Sequence, residues 1–341
     1  MTLKRLVVTV LTAGALAATG LITTAQAATT ACTWRSTFLP VQAGATTGVV
    51  SAASGSSTYA GKVGFPAPTG ANEYHVTRWT GTIISDLGLL PDAHDDLNVN
   101  DVNSSGTVVG DAGKIVGEDP WGVVVRSFPF KSSGGHLEQL PVPAGAYNVR
   151  AVAISDNGDI WGNGHPAGDP DHTTVYRWPA GRPGTVTTPA GFPLGSAVAG
   201  VDTDGTVAFT VTPNPIADPS AFLWKNGVVT ALPMLAGSTY ASVSAIAGGR
   251  VVGESGHVGV VWENGIVKKL PGARSAEGIS STGLIIGWSL SISKSLWQLT
   301  AALGEVPTGA PRLAVAEDST LLGGVSKSGQ VSSMPAVARC S

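Results

Sequence analysis

Ala221-Phe222-Leu223-Trp224, Lys225-Asn226-Gly227, Val228-Val229-Thr230-Ala231-Leu232-Pro233, and then Ser244-Ala245-Ile246-Ala247, Gly248-Gly249 and Arg250-Val251-Val252-Gly253 form the stretch whose reading decides the fold. Its apolar pieces are each strand-length, and the connectors alternate between Gly turns and looser loops. Four short strands per unit follow.

The next segment repeats the pattern with Val260-Val261-Trp262, Asn264-Gly265, Ile266-Val267 to Leu270-Pro271, Gly278-Ile279-Ser280, Thr282-Gly283 and Leu284-Ile285-Ile286-Gly287. Upstream, Arg78-Trp79-Thr80-Gly81 leads through Asp101-Val102-Asn103-Ser104-Ser105-Gly106 to Thr107-Val108-Val109-Gly110. Weaker copies carry Trp34, Phe130, Trp178 and Trp297 at the tryptophan place. The closing place is held by Gly61, Gly110, Gly162, Ala208, Gly253, Gly287 and Gly323. Seven units of ~35 to 50 residues with four strands each are the pattern of propeller blades, which bury their sheet faces against their neighbours. The expected fold is therefore all-β, a β-propeller of seven four-stranded blades. Two or three β-sandwich domains would leave unexplained why a tryptophan recurs ahead of a Gly turn.

The ends of the chain carry a second line of argument. Lys4 and Arg5 precede an uncharged stretch rich in Leu, Val and Ala, and Ala25-Gln26-Ala27 follows with small residues where a signal peptidase reads. Residues 1–27 are expected to be a secretory signal peptide and residues 28–341 a single propeller domain. No later stretch is apolar enough for a membrane span. Outside the cytoplasm an even pair of cysteines is normally bonded, so Cys32 and Cys340 are expected to form a disulfide that closes the ring near the termini. Lipidation at Cys32 is disfavoured, because Thr29-Thr30-Ala31 lacks a large aliphatic residue.

The 341 residues carry 20 Lys plus Arg against 23 Asp plus Glu, a formal net charge of -3, with no run of like charges. That argues against a nucleic-acid partner or an anionic membrane surface. A monomer is expected.

The repeat resembles the HAF repeats of extracellular bacterial proteins, whose unit runs His-Ala-Phe-x-Trp, a Gly turn, a strand ending in Leu, and then Ala-x-x-Ile-Asn-x-x-Gly-x-Val-Val-Gly. Ala221-Phe222-Leu223-Trp224 matches the first part, with Ser220 in the histidine place. His75-Val76-Thr77-Arg78-Trp79 keeps the histidine and tryptophan, and residues 99–110 match the second half. The resemblance implies extracellular propeller-like repeats and no catalytic set.

If the strands of a unit run alternately up and down, both Gly turns of every unit lie on one face of the disc, and the looser connections share the other. Those connections hold His94, Asp95 and Asp96, and insertions over 111–127, 163–174 and 211–220 add Glu118, Asp119, Trp121, His165, Asp169, Asp171 and His172. Long loops on a rigid scaffold are where binding usually sits. Trp121 is out of register with the repeat, and an exposed indole beside Glu118 and Asp119 suits a sugar ring or a partner protein. Candidate binding residues are thus Trp121, Glu118, Asp119, His94, Asp96, Asp169, Asp171 and His172.

The imidazoles and carboxylates could serve a divalent metal, yet Asp, His and Pro are also ordinary loop residues, so no cofactor is predicted. Asp156-Asn157-Gly158 and Asp202-Thr203-Asp204-Gly205 occupy the repeat's turn slot and read as hairpin turns. Gly253-Glu254-Ser255-Gly256-His257 reads as a link between blades, because no helix follows to build a nucleophile elbow. The expected function is a secreted, non-enzymatic module binding a glycan or extracellular protein through the loop face of blades two to four. The alternative is a carbohydrate-active enzyme, a glycoside hydrolase or lyase, using carboxylates of that face.

Overall fold

The computed structural model describes residues 33–341, apart from 69, 71, 92, 94, 95, 120, 121 and 327–331. Strand β1 (Trp34–Phe38) comes first and joins the last sheet, as shown below. Blade one is β2 (Thr47–Ser54), β3 (Thr58–Pro66), β4 (Asn72–Thr80) and β5 (Ile83–Gly88). Blade two is β6 (Leu97–Val102), β7 (Val108–Asp119), β8 (Gly122–Ser133) and β9 (His136–Gln139). Blade three has β10 (Tyr147–Ile154), β11 (Ile160–His165) and β12 (Thr174–Trp178), with a lone Arg177↔Thr187 bridge where a fourth strand would lie. Blade four is β13 (Ser196–Val201), β14 (Val207–Val211), β15 (Ser220–Lys225) and β16 (Val228–Ala231). Blade five is β17 (Ala241–Ala247), β18 (Arg250–Ser255), β19 (Val258–Glu263) and β20 (Ile266–Lys269). Blade six is β21 (Ala273–Ile279), β22 (Leu284–Ser289), β23 (Lys294–Gln298) and β24 (Ala301–Glu305). Blade seven comprises β25 (Ala314–Val315), β26 (Leu321–Ser326) and β27 (Ser333–Cys340), and β1 completes it.

The chain is thus an all-β, seven-bladed propeller, its blades mostly four-stranded. β1 pairs antiparallel with β27, from Trp34↔Cys340 to Phe38↔Ala336, so the two ends of the described chain are neighbours. Thr33 and Ser341 extend that ladder by exchanging backbone hydrogen bonds. Cys32 lies outside the described residues, and with it the expected disulfide.

Each seam between adjacent blades has its own apolar cluster. Leu90 and Phe130 meet at seam one/two, Leu140 and Trp178 at two/three, and Trp161 and Val198 at three/four. Leu232 and Trp262, Leu270 and Trp297, Ile286 and Leu321, and Leu322 and Trp79 mark the remaining four. The core is therefore a ring of seams, as a sheet packed on both faces requires.

Tryptophans of the third strands lie in these seams. The indole N–H of Trp79 donates to the carbonyl of Pro40, Trp178 to Pro141, Trp262 to Pro233 and Trp297 to Pro271, all within 2.9 Å. Each acceptor belongs to a Leu-Pro pair just past the fourth strand of the preceding blade. The Leu amide extends the ladder, as in Leu270 N–H to Gly259 O, and the proline, lacking an N–H, ends it. Trp224 makes the equivalent bond to Ala190 O at 3.1 Å.

Three details of the expected repeat shift. Each sequence unit comprises strands three and four of one blade and strands one and two of the next, so the repeat is two strands out of phase with the sheets. Trp34 therefore lies on the outer strand of blade seven, and Ala338 takes the register of the seam tryptophan there. Phe130 pairs with Gly110, two residues before that register, which Ser132 occupies by placing its hydroxyl on the Val108 amide. The closing residue of the fourth unit is Phe209 and not Ala208, because Phe209 pairs with Val198 as Gly110 pairs with Val99.

The closing glycines have a steric cause. First and second strands slip register at one recurring place, between Val99/Asp101, Ala151/Ala153 and Val243/Ala245 among others. At this bulge the carbonyl oxygen of Asn98, Arg150 or Ser242 occupies the space that a Cβ on Gly110, Gly162 or Gly253 would need.

Candidate functional site

Alternation of the strands puts the connections between strands two and three, and those between blades, on one face of the disc. The Gly turns share the other face. Gly106, Gly158 and Gly205 have φ near +80°, so the turns read at residues 156–158 and 202–205 are indeed hairpin turns. Residues 253–257 are not a link between blades. They form the β18–β19 turn inside blade five, where the hydroxyl of Ser255 is buried and accepts the Leu235 amide.

The insertion over 111–127 is two long strands and not a loop. β7 and β8 pair from Val109↔Lys131 out to Asp119↔Gly122, so blade two throws a hairpin arm from the loop face. Val108 to Gly113 are all buried, as in a strand covered on both faces, after which Lys114, Ile115, Val116 and Gly117 are all exposed. That run marks the point where both faces of the ribbon leave the disc. Glu118 and Asp119 end β7, and Trp121 lies outside the described residues. Asp96 sits at the arm's root, where its carbonyl accepts the Gly113 amide, and His94 lies outside the described residues. Asp111 is buried, with the amides of Asn98 and Asn100 on its carboxylate.

From the root of the arm, a chain of contacts crosses blades two to four. The Arg126 guanidinium lies 5.9 Å from the Tyr147 ring, which stacks on His165 at 4.9 Å with the planes 13° apart. His165 Nδ1 meets the carbonyl of His172 at 3.1 Å. The His172 ring is held from both sides, Nδ1 by Asp169 Oδ1 at 2.8 Å and Nε2 by the carbonyl of Pro213 at 3.0 Å. An imidazole facing two acceptors holds a proton on each nitrogen. The hydrogen bond to Asp169 accordingly raises the His172 pKa, and His172 holds the Asp169 carboxyl below its ordinary value. The loop over 166–173 of blade three is thereby tied to blade four.

Of the expected residues, Asp169, Asp171 and His172 thus share one loop, where the Asp171 amide also reaches Asp169. Asp96 stands instead at the arm. Among the described residues no three His, Cys, Asp or Glu side chains are grouped so as to hold a metal ion. Arg126 and Tyr147 escaped the sequence reading, since neither falls in the repeat pattern.

The first strands surround a channel of about 240 Å³, whose walls include Ser51, Asn100, Val152, Ala199 and Glu277. Its mouth on the Gly-turn face is acidic. Asp202 receives the amides of Gly248 and Gly249, and Asp156 that of Ser104, each across a seam. Burial pushes the Asp101 carboxyl up to about 7, against the pull of the Ile154 and Val102 amides. Glu317 is raised by burial and then by Asp156, Asp202 and Asp318. The carboxylates of Asp101, Asp156 and Asp202 thus fasten neighbouring blades, and Asp156 and Asp202 repel Glu317.

No helix among the described residues is long and apolar enough to cross a membrane. No known family profile matches the chain, and no curated protein does. Among solved structures the chain is similar to the β-propeller domain of the Trilobed protease from Pyrococcus furiosus, described as having an open velcro topology. Identity is 11%, the TM-score is 0.42, and the match covers 74% of this chain and 95% of that one. A likeness of that size carries no argument about activity, and the propeller rests on the strand order of this chain.

Proposed function

We propose that the protein is a secreted, non-catalytic propeller of the HAF-repeat kind that binds an extracellular protein through the loop face of blades two to four. The observation that carries this reading is the arm. Two twelve-residue strands leave the disc and present Ile115, Val116 and Val125 at 40 to 50% exposure, beside the Arg126–Tyr147–His165 stack. Aliphatic side chains on a projecting ribbon suit the apolar centre of a protein interface more than a sugar ring, which favours aromatic platforms. Ile216, 96% exposed in the neighbouring loop of blade four, extends the same apolar character. The secretory reading of residues 1–27 and a Cys32–Cys340 disulfide belong to this proposal.

The test places the mature chain on arrays of secreted proteins and of glycans, beside a polysaccharide-cleavage screen, with Val125→Asp, Trp121→Ala and Asp171→Ala as variants. Retention of a protein partner that Val125→Asp abolishes supports the reading. Sugar products that disappear with Asp171→Ala would overturn it in favour of a carbohydrate-active enzyme, and retention of a glycan alone would overturn the choice of partner.

A further inference from the structure

The Gly-turn face holds a second feature, independent of the loop face. A cavity of about 710 Å³ opens across blades one to three, within the size range of small-molecule sites. It lies where two units depart from the repeat. Ser132, which holds the register of the seam tryptophan in blade two, lines it together with Leu140, Pro141 and Trp178 of seam two/three. In blade three the usual fourth strand is replaced by a loop, and residues 179–185 of that loop form a wall of the cavity.

The walls carry more donors than acceptors to meet them. Arg78 spends one guanidinium nitrogen on the Gly106 carbonyl at 2.9 Å, while its Nε is buried without a partner. Arg182 lies on the 179–185 wall, and its side chain makes no hydrogen bond or ion pair among the described residues. Lys131 meets Glu138 only at 3.9 Å. The acids, by contrast, are engaged. Glu138 faces both Lys131 and His136, and Asp156 accepts the Ser104 amide. Arg78, Lys131 and Arg182 against the engaged Glu138 and Asp156 leave the walls with a surplus of positive charge, which favours an anionic ligand. Arg is the side chain best shaped to take a carboxylate. Around these cations the walls supply hydroxyl and amide groups, Ser105, Ser133 and Asn157 among them, which suit the hydroxyls of a sugar ring.

We propose that this cleft binds a short anionic oligosaccharide, its carboxylates seated between Arg78 and Arg182 and its hydroxyls on the polar walls. The proposal stands whether or not the loop face binds a protein.

The test is titration calorimetry of the mature chain with oligouronate fragments of alginate, with neutral cello-oligosaccharide and inorganic phosphate as comparison ligands. Arg182→Ala and Val125→Asp are the paired variants. Arg182 sits in an exposed turn, so its truncation leaves the fold intact, and circular dichroism checks this. The expected result is saturable oligouronate binding that weakens about tenfold to a hundredfold in Arg182→Ala, weakens with added salt, and is unchanged in Val125→Asp. No heat with oligouronate, equal affinity for the neutral sugar or for phosphate, or full affinity in Arg182→Ala would each overturn the proposal. Loss in Val125→Asp would also overturn it, by moving the site to the other face.

Discussion

The indole N–H of Trp262 donates to the carbonyl oxygen of Pro233 at 2.7 Å, across the seam between blades four and five. Trp262 is 2% exposed, so the bond is made in a dry interface, where it sets the spacing and tilt of one blade against the next. The same bond recurs at other seams and makes the sequence repeat intelligible. The tryptophan and the Leu-Pro pair are the two halves of one joint.

Trp262→Phe keeps most of the apolar surface but orphans the Pro233 carbonyl. The expected cost is ~1–3 kcal/mol, against ~3–5 kcal/mol for Trp262→Ala, which also opens a cavity. Urea unfolding followed by tryptophan fluorescence checks the order of the two, and a Trp262→Phe chain as stable as the parent would mean that the hydrogen bond contributes nothing.

Gly110→Ala drives a methyl group into the Asn98 carbonyl of the bulge and is expected to be severely destabilising. Gly117→Ala, on the arm with open space around it, should change stability by no more than ~0.5 kcal/mol. Thermal melts of the two variants side by side provide the contrast.

His172 has a raised pKa in the folded chain, so its contribution is complete below the ordinary value of 6.5 and fades as pH rises through the folded value. The loop over 166–173 is therefore expected to exchange amide hydrogens faster above neutrality than at pH ~6, after correction for intrinsic rates. Asp169→Asn should lower the His172 pKa, read from the imidazole proton shifts in an NMR titration.

Asp101 behaves in the opposite sense to a salt-bridged carboxylate. Its folded pKa of about 7 exceeds the ordinary 3.8, so the native state binds the proton more tightly. Stability from this group is greatest below the ordinary value, declines as pH climbs toward about 7, and is level above it. Asp101→Asn should flatten that segment of the profile of urea midpoint against pH.

The blade count was legible because seven second strands each close on a recurrent residue, and those strands are real. The phase was not, since a ring of equal units can be cut between any two strands, and only the pairing shows which strand lines the channel. Trp34 was misplaced for that reason, and Phe130 because a ring two residues along a strand points to the same side. The arm was hidden by the charges and proline of Lys114 to Pro120, although Ile115-Val116 and Val123-Val124-Val125 are β-branched runs that signalled strands. Asp169 and His172 were found because they sit in one loop. Arg126, Tyr147 and the cleft under Ser132 arise from contacts between blades, which no local pattern records.

The closing of the ring by β1 is the claim on which the rest stands, and hydrogen exchange of the peptide carrying Trp34–Phe38 measures it directly. Paired with β27 as the structure has it, the amides that donate across this ladder should be protected as strongly as those of β27 itself. Exchange of that peptide at the rate of an unstructured chain, while the other blades remain protected, would contradict the closed propeller.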